Sequence, residues 1–415
     1  MLNTPFSPWP SFTPEEIEAV AAVLASNRVN YWTGDRCWEF ERRFADWVGT
    51  HHAVALTNGT VALDVALRAL GIGPGDEVIT SSRTFMASAS CIVATGAVPI
   101  FADVDANSQN ITAETIATVL TPRTKAVICV HLGGMPCDMD PIMDLAAEHD
   151  LKVIEDCAQA HGARYRGRSV GSIGHVGAWS FCQDKIMTTG GEGGMVTTDD
   201  ADLWSKMWSY KDHGKSWGAV HQRPHPPGPR LIHDSFGLNG RMLEIQAAIG
   251  LIQLGRMPAW TARRRAISSA LAEVCGRHEL VRVPTMSPGV DHAWYRFYTF
   301  VRPERLANGW SRDRIIEAVE SSGVPCLHGS ASEIYLERAF DGTGWRPAER
   351  LPTARLLGET AIALLVHPTL TEAEVAKACT VLDAVLTEAA AAPRFWPPSS
   401  SITEWAARDE VLNAP

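Results

Sequence analysis

The chain has 415 residues, long enough to bury the cores of two domains, and its formal net charge of -10 argues against a nucleic-acid binder, which would present a basic face. No apolar run approaches the ~20 residues of a membrane helix, and the stretch from Met1 to Phe12 lacks a basic start leading into an apolar segment, so neither a membrane span nor a signal peptide is expected. The nine cysteines are scattered without a CxxC pair, so no metal site is expected and a reducing cytoplasm is the expected compartment.

Residues 1–25 read as an entry segment, Pro-rich at first and then helical from about Pro14 to Ala25. From Ala53 short β-rich runs alternate with helical ones. The pattern predicts a strand at 53–57, a helix at 60–70 ended by Gly71, a strand at 77–81, a helix at 85–94 closed by Gly96 and a strand at 99–104. It continues with a helix at 112–120, a strand at 126–131, a helix at 141–149 and a strand at 152–155. Repeated βαβ units argue for a mostly parallel sheet with helices on both faces, and ligands in such sheets sit at the carboxyl ends of the strands.

Two more β-runs follow at 177–181 and 195–198, then a helix at 203–210 and an exposed Pro/His loop at 221–229. Helical sequence returns at 242–254 and again around Arg263-Arg264-Arg265, after which a smaller α/β unit occupies 280–390. The expected division is an N-terminal segment 1–25, a large domain 26–255, a small domain 256–390 and a peripheral tail 391–415 rich in Ala, Pro and Ser.

Three segments place polar groups at strand ends. In Thr57-Asn58-Gly59-Thr60 a strand gives way to a helix, where glycine admits a ligand to the backbone and free amides favour an anion. Taken alone, the same residues also read as an ordinary helix cap. The second segment is Val153-Ile-Glu-Asp-Cys-Ala-Gln-Ala-His-Gly162, a strand whose terminal Glu155 and Asp156 aim acids into the crevice, with Gln159 and His161 in the next turn. The third carries Ser180, Lys185 and then Gly190-Gly-Glu-Gly-Gly194. A lone lysine after a strand is normally a surface charge. Closely following glycines suit a bulky ligand, and a lysine shielded from water loses part of its preference for the charged form and can act as a nucleophile toward a carbonyl.

Together these segments resemble the DegT/DnrJ/EryC1/StrS aminotransferase family, within the fold-type I pyridoxal-phosphate enzymes. The matching pieces are Asn58-Gly59-Thr60, Glu155-Asp156-Cys-Ala-Gln159-Ala-His161-Gly162, Ser180-Phe181 with Lys185 and Gly191-Glu192-Gly-Gly194, and Phe236-Gly-Leu-Asn239-Gly-Arg241-Met242 running on through Glu244 and Gln246. The resemblance covers roughly residues 8–382. It implies a large domain with a mostly parallel central sheet, a smaller C-terminal α/β domain and pyridoxal 5′-phosphate (PLP) as cofactor.

The resemblance also implies roles. Lys185 would carry the cofactor covalently and move the proton. Asp156 would pair with the pyridine nitrogen, and Gln159 would bond near the phenolic oxygen. Gly59, Thr60 and Ser180 would hold the phosphate, and Phe85 would stack on the ring, although as a residue it reads equally as core filler. Asn239 would reach the phosphate held by the other subunit of a homodimer with shared sites. His161, Glu192 and Arg241 are substrate-facing candidates, with Glu192 alternatively behind the first layer and Arg241 alternatively an interface ion pair. Where many relatives carry Tyr-x-Pro-x-His near the substrate, this chain has Val324-Pro-Cys-Leu-His328, so His328 is the corresponding candidate in a departed stretch.

The expected reaction is amino transfer from an amino acid, glutamate in the first place, to a keto-sugar nucleotide in amino-sugar biosynthesis. A cyclitol ketone or aminobenzoate precursor as acceptor is the runner-up, and a non-catalytic PLP-binding sensor stands third, disfavoured because no DNA-binding or membrane module is attached. A nicotinamide enzyme is discarded. Its best fragment, Gly71-Ile-Gly73-Pro-Gly75, follows a helix and precedes a strand, the wrong order for a dinucleotide loop.

Overall fold

The computed structural model describes residues 5–228 and 230–391. The expected tail lies outside these residues beyond Ala391. The entry segment ends in α1 (Pro14–Ala25), whose Glu16 accepts from the Thr13 amide at 2.7 Å and closes the first turn. Glu16 is nevertheless buried, because Gln253 and Arg256 reach it at 2.7 and 2.9 Å from a helix more than two hundred residues away.

A helix the sequence reading did not draw, α2 (Arg36–Val48), buries Phe40 and Phe44 and stops at Gly49 with φ 86°. The expected alternation then appears: β1 (His52–Leu56), α3 (Gly59–Ala69), β2 (Glu77–Ser81), α4 (Ala87–Thr95) and β3 (Val98–Ala102). It goes on through α5 (Ala113–Ala117), β4 (Thr124–Val130), α6 (Met139–Glu148) and β5 (Lys152–Asp156). The helix expected at 112–120 is only five residues long, capped by Thr112, whose hydroxyl accepts from Thr115.

Two short strands, β6 (Arg164–Tyr165) and β7 (Arg168–Ser169), precede β8 (Val176–Ser180) and β9 (Gly194–Thr198). The seven-stranded sheet runs β1-β9-β8-β5-β4-β2-β3, with every strand but β9 pointing the same way. Strands β2, β8 and β9 are buried along their whole length, as a sheet covered on both faces requires. The mostly parallel sheet was legible because each βαβ unit announces itself locally.

After α7 (Ala201–Tyr210) and α8 (Trp217–His221) comes α9 (Glu244–Cys275), a single helix where two separate helical stretches were expected. The boundary expected at 255/256 therefore falls inside a helix. An interior proline, Pro258, costs roughly 3 kcal/mol, which the packing of α9 must exceed. Its first half packs on α1 and α2. Its second half meets β12 (Phe297–Val301) and α12 (Glu372–Ala389). The remaining elements are β10 (Val281–Arg282), β11 (Val290–Asp291), α10 (Arg312–Ser321), β13 (Cys326–Leu327), α11 (Pro352–Thr360) and β14 (Ala361–Leu364). Strands β10-β12-β14-β13 form a second, four-stranded sheet with its own apolar core around Phe297, Ile315 and Leu382.

Candidate active site

A cleft of about 940 Å³ opens at the carboxyl ends of β5 and β8 and is walled on its far side by β12 and the turn after β13. Of the residues singled out from the sequence, Gly59, Thr60, Phe85, Asp156, Gln159, Ser180, Lys185 and Glu192 line it. His161, Asn239, Arg241 and His328 do not.

The cleft's floor is a close approach between α3 and β8. Asn58 caps α3, its side chain accepting from Val61 N–H at 2.9 Å, so the bland reading holds for that residue. Gly59 has a different reason. A Cβ built there would lie 2.6 Å from Cβ of Ser180, so only glycine lets the helix N-terminus and the serine share one spot. Amides at a helix start beside a serine hydroxyl make a cradle for an oxyanion such as phosphate.

Asp156 ends β5 and is almost fully buried. Its carboxylate accepts from Ser88 Oγ at 2.9 Å and from Ala158 N–H at 3.1 Å. Burial pushes its carboxyl up, against the opposing pull of Ala158, Ser88 and Lys185. A buried acid held only by neutral hydrogen bonds is suited to a cationic partner, such as a protonated ring nitrogen. Gln159 accepts from Gly133 N–H at 2.7 Å through Oε1, which leaves its Nε2 hydrogens for the cleft.

Lys185 sits in the turn after β8 with 15% of its side chain exposed. Its Nζ lies 3.6 Å from Asp184 Oδ1 and 5.2 Å from the centroid of Tyr295. The Tyr295 hydroxyl bonds to Asp184, and the Asp184 carboxyl is held low although its burial works the other way, chiefly by Lys185 and then by Tyr295. The indole N–H of Trp9 donates to the Lys185 carbonyl at 2.8 Å. Phe85 is 71% exposed at the cleft, so it is not core filler.

Other candidates are placed elsewhere. His161 is fully buried between Trp179 and Phe181, with ring centroids 5.2 and 5.6 Å away, and neither nitrogen has a hydrogen-bond partner among the described residues. Burial above all, then Lys185 and Arg264, pull its pKa down to about 3. Arg241 pairs with Asp212 of its own chain at 2.6 Å. His328, exposed just after β13, lies 3.2 Å from Asp313 in the first turn of α10. Asn239 is exposed and bridges to Asp212 through the backbone.

Glu155 corrects a further expectation, for it does not face the crevice. Neighbours on a strand point to opposite faces, so only one of Glu155 and Asp156 can. Glu155 turns the other way and accepts from His131 Nε2 at 3.0 Å and from the amides of Gly171, Ile173 and Gly174 at 2.7–2.8 Å. His131 accepts from Cys137 N–H through Nδ1, which places the proton on Nε2. The geometric grouping of His131, Glu155 and Cys157 is thus a lock on the fold, with the Glu155 oxygens and both His131 nitrogens already occupied.

Ser88, Asp184, Tyr295, Arg296 and Ser330 also line the cleft and are not among the residues singled out from the sequence. Ser88 follows Thr84 by four residues, a helical spacing that could have flagged it. Asp184 adjoins Lys185 in the third polar segment, and Tyr295, Arg296 and Ser330 lie in stretches without a pattern of their own.

A family model described as the DegT/DnrJ/EryC1/StrS aminotransferase family matches residues 10–383. An X-ray structure of the aminotransferase from Psychrobacter cryohalolentis is 58% identical, superposes with a TM-score of 0.91, and is matched over 93% of this chain and 100% of that one. GDP-perosamine synthase of Caulobacter vibrioides is 40% identical, over 84% of this chain and 89% of its own length. The dTDP-3-amino-3,4,6-trideoxy-alpha-D-glucose transaminase of Streptomyces venezuelae is 36% identical, over 88% and 90% respectively.

Proposed function

The chain belongs to the DegT/DnrJ/EryC1/StrS aminotransferase family, and from that premise we propose that it is a PLP-dependent aminotransferase moving an amino group from an amino acid, L-glutamate in this reading, to the ketone of a nucleotide-linked sugar. One observation carries the reading: Lys185, Asp156 and the Gly59–Thr60 helix start converge on a single cleft. The two curated relatives named above differ in nucleotide, GDP in one and dTDP in the other, so the nucleotide is left open.

Bound in the cleft, PLP supplies an electrophilic carbonyl and an electron-withdrawing ring. Lys185, the one lysine among the described residues lining the cleft, would hold it covalently through Nζ and, once displaced by the incoming amine, carry the proton between carbon atoms. Asp184 and Tyr295 keep that amine oriented. Asp156 would hold the ring nitrogen protonated, and Ser88 fixes the carboxylate that does so. Gly59, Thr60 and Ser180 would take the phosphate, Gln159 would donate from Nε2, and Phe85 would cover one face.

The same reading divides the chain into a large domain on the seven-stranded sheet and a small one on the four-stranded sheet, with α9 common to both. It places the active unit in a homodimer whose second subunit contributes Asn239. No helix among the described residues is long and apolar enough to cross a membrane. The same reading keeps the chain in a reducing cytoplasm, where its nine scattered cysteines would stay as thiols.

The test combines a panel of GDP-, dTDP- and UDP-linked keto-sugars with L-glutamate, followed by release of 2-oxoglutarate, and a Lys185→Ala variant. The wild type is expected to be yellow, to be labelled at Lys185 on borohydride reduction and to turn over one panel member. Lys185→Ala is expected to bind PLP only reversibly and to lose turnover. Normal turnover in Lys185→Ala would refute the assignment.

A further inference from the structure

The wall of the cleft formed by the second sheet carries one guanidinium group, and a second, from the segment after β2, lies buried behind it; neither is neutralised by a carboxylate in ion-pair contact among the described residues. Arg296 lines the cleft, half-buried, with its guanidinium carbon 4.7 Å from the Tyr295 centroid, and it makes no hydrogen bond or ion pair with another described residue. Arg83 lies behind the same wall and is fully buried. Its Nε donates to Gln109 at 3.2 Å and its Nη1 to the Ser330 carbonyl at 3.3 Å, whereas Nη2 has no partner among the described residues. Its guanidinium carbon is 5.7 Å from the Tyr298 ring, and both Tyr298 and Ser330 line the cleft.

Buried cations are costly unless a carboxylate or a ligand compensates them. The acid that Arg296 influences, Asp184, is already committed to Tyr295 and Lys185. Gln109 and a peptide carbonyl are neutral, so they leave the Arg83 charge uncompensated. Positive potential thus accumulates on one wall of a cleft otherwise lined by Asp156, Asp184, Glu192 and Glu337.

We propose that Arg296, backed by Arg83, is the subsite for an oxyanion, a carboxylate or phosphate, carried on a substrate arm other than the reacting carbon. This rests on the aminotransferase reading and sharpens it. The planar guanidinium fork matches either oxyanion through two parallel hydrogen bonds. Arg296 lies against Tyr295, whose ring in turn lies 5.2 Å from Lys185 Nζ. Arg296 and Lys185 border the same ring, so a group held by Arg296 lies next to the centre of transfer, on another part of the substrate. Two substrates can offer such an arm. A dicarboxylic donor has its side-chain carboxylate, and an acceptor has an acid group or a phosphate.

Single-turnover experiments on the PLP-loaded enzyme separate these sources, reading the cofactor's absorbance. In the donor arm, L-glutamate is compared with L-glutamine, which lacks the side-chain charge. In the acceptor arm, the amino-loaded enzyme meets keto-sugar nucleotides and a keto-sugar acid without a nucleotide. Arg296→Gln is expected to raise the dissociation constant of the anion-bearing substrate roughly 10- to 100-fold, the usual cost of losing a charge-assisted pair. Arg83→Gln is expected to act in the same direction and Arg83→Lys to restore most of the binding. Loss of the preference for glutamate over glutamine assigns the subsite to the donor. Weakening of acceptors alone assigns it to the acceptor.

Should Arg83→Gln fail to fold, Arg296→Gln still decides, because Arg296 is partly exposed. If Arg296→Gln keeps the wild-type absorbance and melting and shifts neither arm by more than about threefold, the subsite is overturned. Calorimetric titration with 2-oxoglutarate and with inorganic pyrophosphate requires no turnover. Binding that Arg296→Gln removes supports the subsite even if no amino transfer is seen, so the two readings fail separately.

Discussion

His161 shows how one side chain couples acid to stability. In the unfolded chain its imidazole takes a proton near the ordinary histidine value, whereas burial holds the folded-state value at about 3. Between those values the unfolded state binds one more proton than the native state, so stability falls as the pH drops through that window. The slope from this residue is about 1.4 kcal/mol per pH unit. His161→Phe keeps a ring between Trp179 and Phe181 and removes the proton. Urea denaturation at pH 7, 6, 5 and 4 is expected to show the wild type losing stability faster than the variant on acidification. Parallel pH profiles would mean that His161 is accessible to protons in the folded state. His292, held near 3, and His367, near 4, act in both proteins and cancel in the difference.

The elements impose what no single residue does. Strand β5 splits two adjacent acids between roles, sending Asp156 to the cleft and Glu155 to the amides of Gly171, Ile173 and Gly174. The start of α3 and the end of β8 are pressed together at Gly59 and Ser180, and that contact can be tested directly. Gly59→Ala places a methyl 2.6 Å from Ser180 Cβ, an overpacking that costs about 1–3 kcal/mol. The expected result is a lower melting temperature and PLP affinity reduced roughly 10- to 100-fold. Adding Ser180→Gly restores the space, so Gly59→Ala/Ser180→Gly is expected to recover melting but not full affinity, since a hydroxyl is gone. A single variant that melts and holds PLP like the wild type would show that the close approach is relieved without cost.

At the scale of the molecule, the 231–243 segment presents Leu231 and Phe236, 84% and 99% exposed, beside Asn239. Exposed apolar side chains are what a contact with another chain would cover. If Asn239 completes the site of a second subunit, defects in Asn239 and Lys185 complement each other. A mixed dimer of Asn239→Ala and Lys185→Ala holds both defects in one site and neither in the other. Random exchange of equal amounts is then expected to restore activity to roughly a quarter of wild type, above either parent. Mixtures that exchange subunits, as mass spectrometry of labelled chains would show, yet stay inactive would place Asn239 in its own chain's business alone.

The order of strands and helices, the parallel sheet and the residues gathered at its carboxyl edge were legible in the sequence, because each depends on neighbours along the chain. Alternation, caps and glycines at turns are local signals that marked the segments holding Gly59, Asp156 and Lys185, while the roles of those residues came from the family resemblance. They also located His161 and Arg241 in the right segments while saying nothing of where the side chains would point. Tertiary structure decided those matters. Ser88 holds Asp156 from 68 residues away, Trp9 holds the Lys185 carbonyl from 176 residues away, and α9 joins both sheets through a proline that local rules read as a break. Burial and partnership are properties of contacts between distant segments. Their energies outweigh local preference only once the chain has closed on itself, which is why the uncompensated Arg83 could not be read from its neighbours.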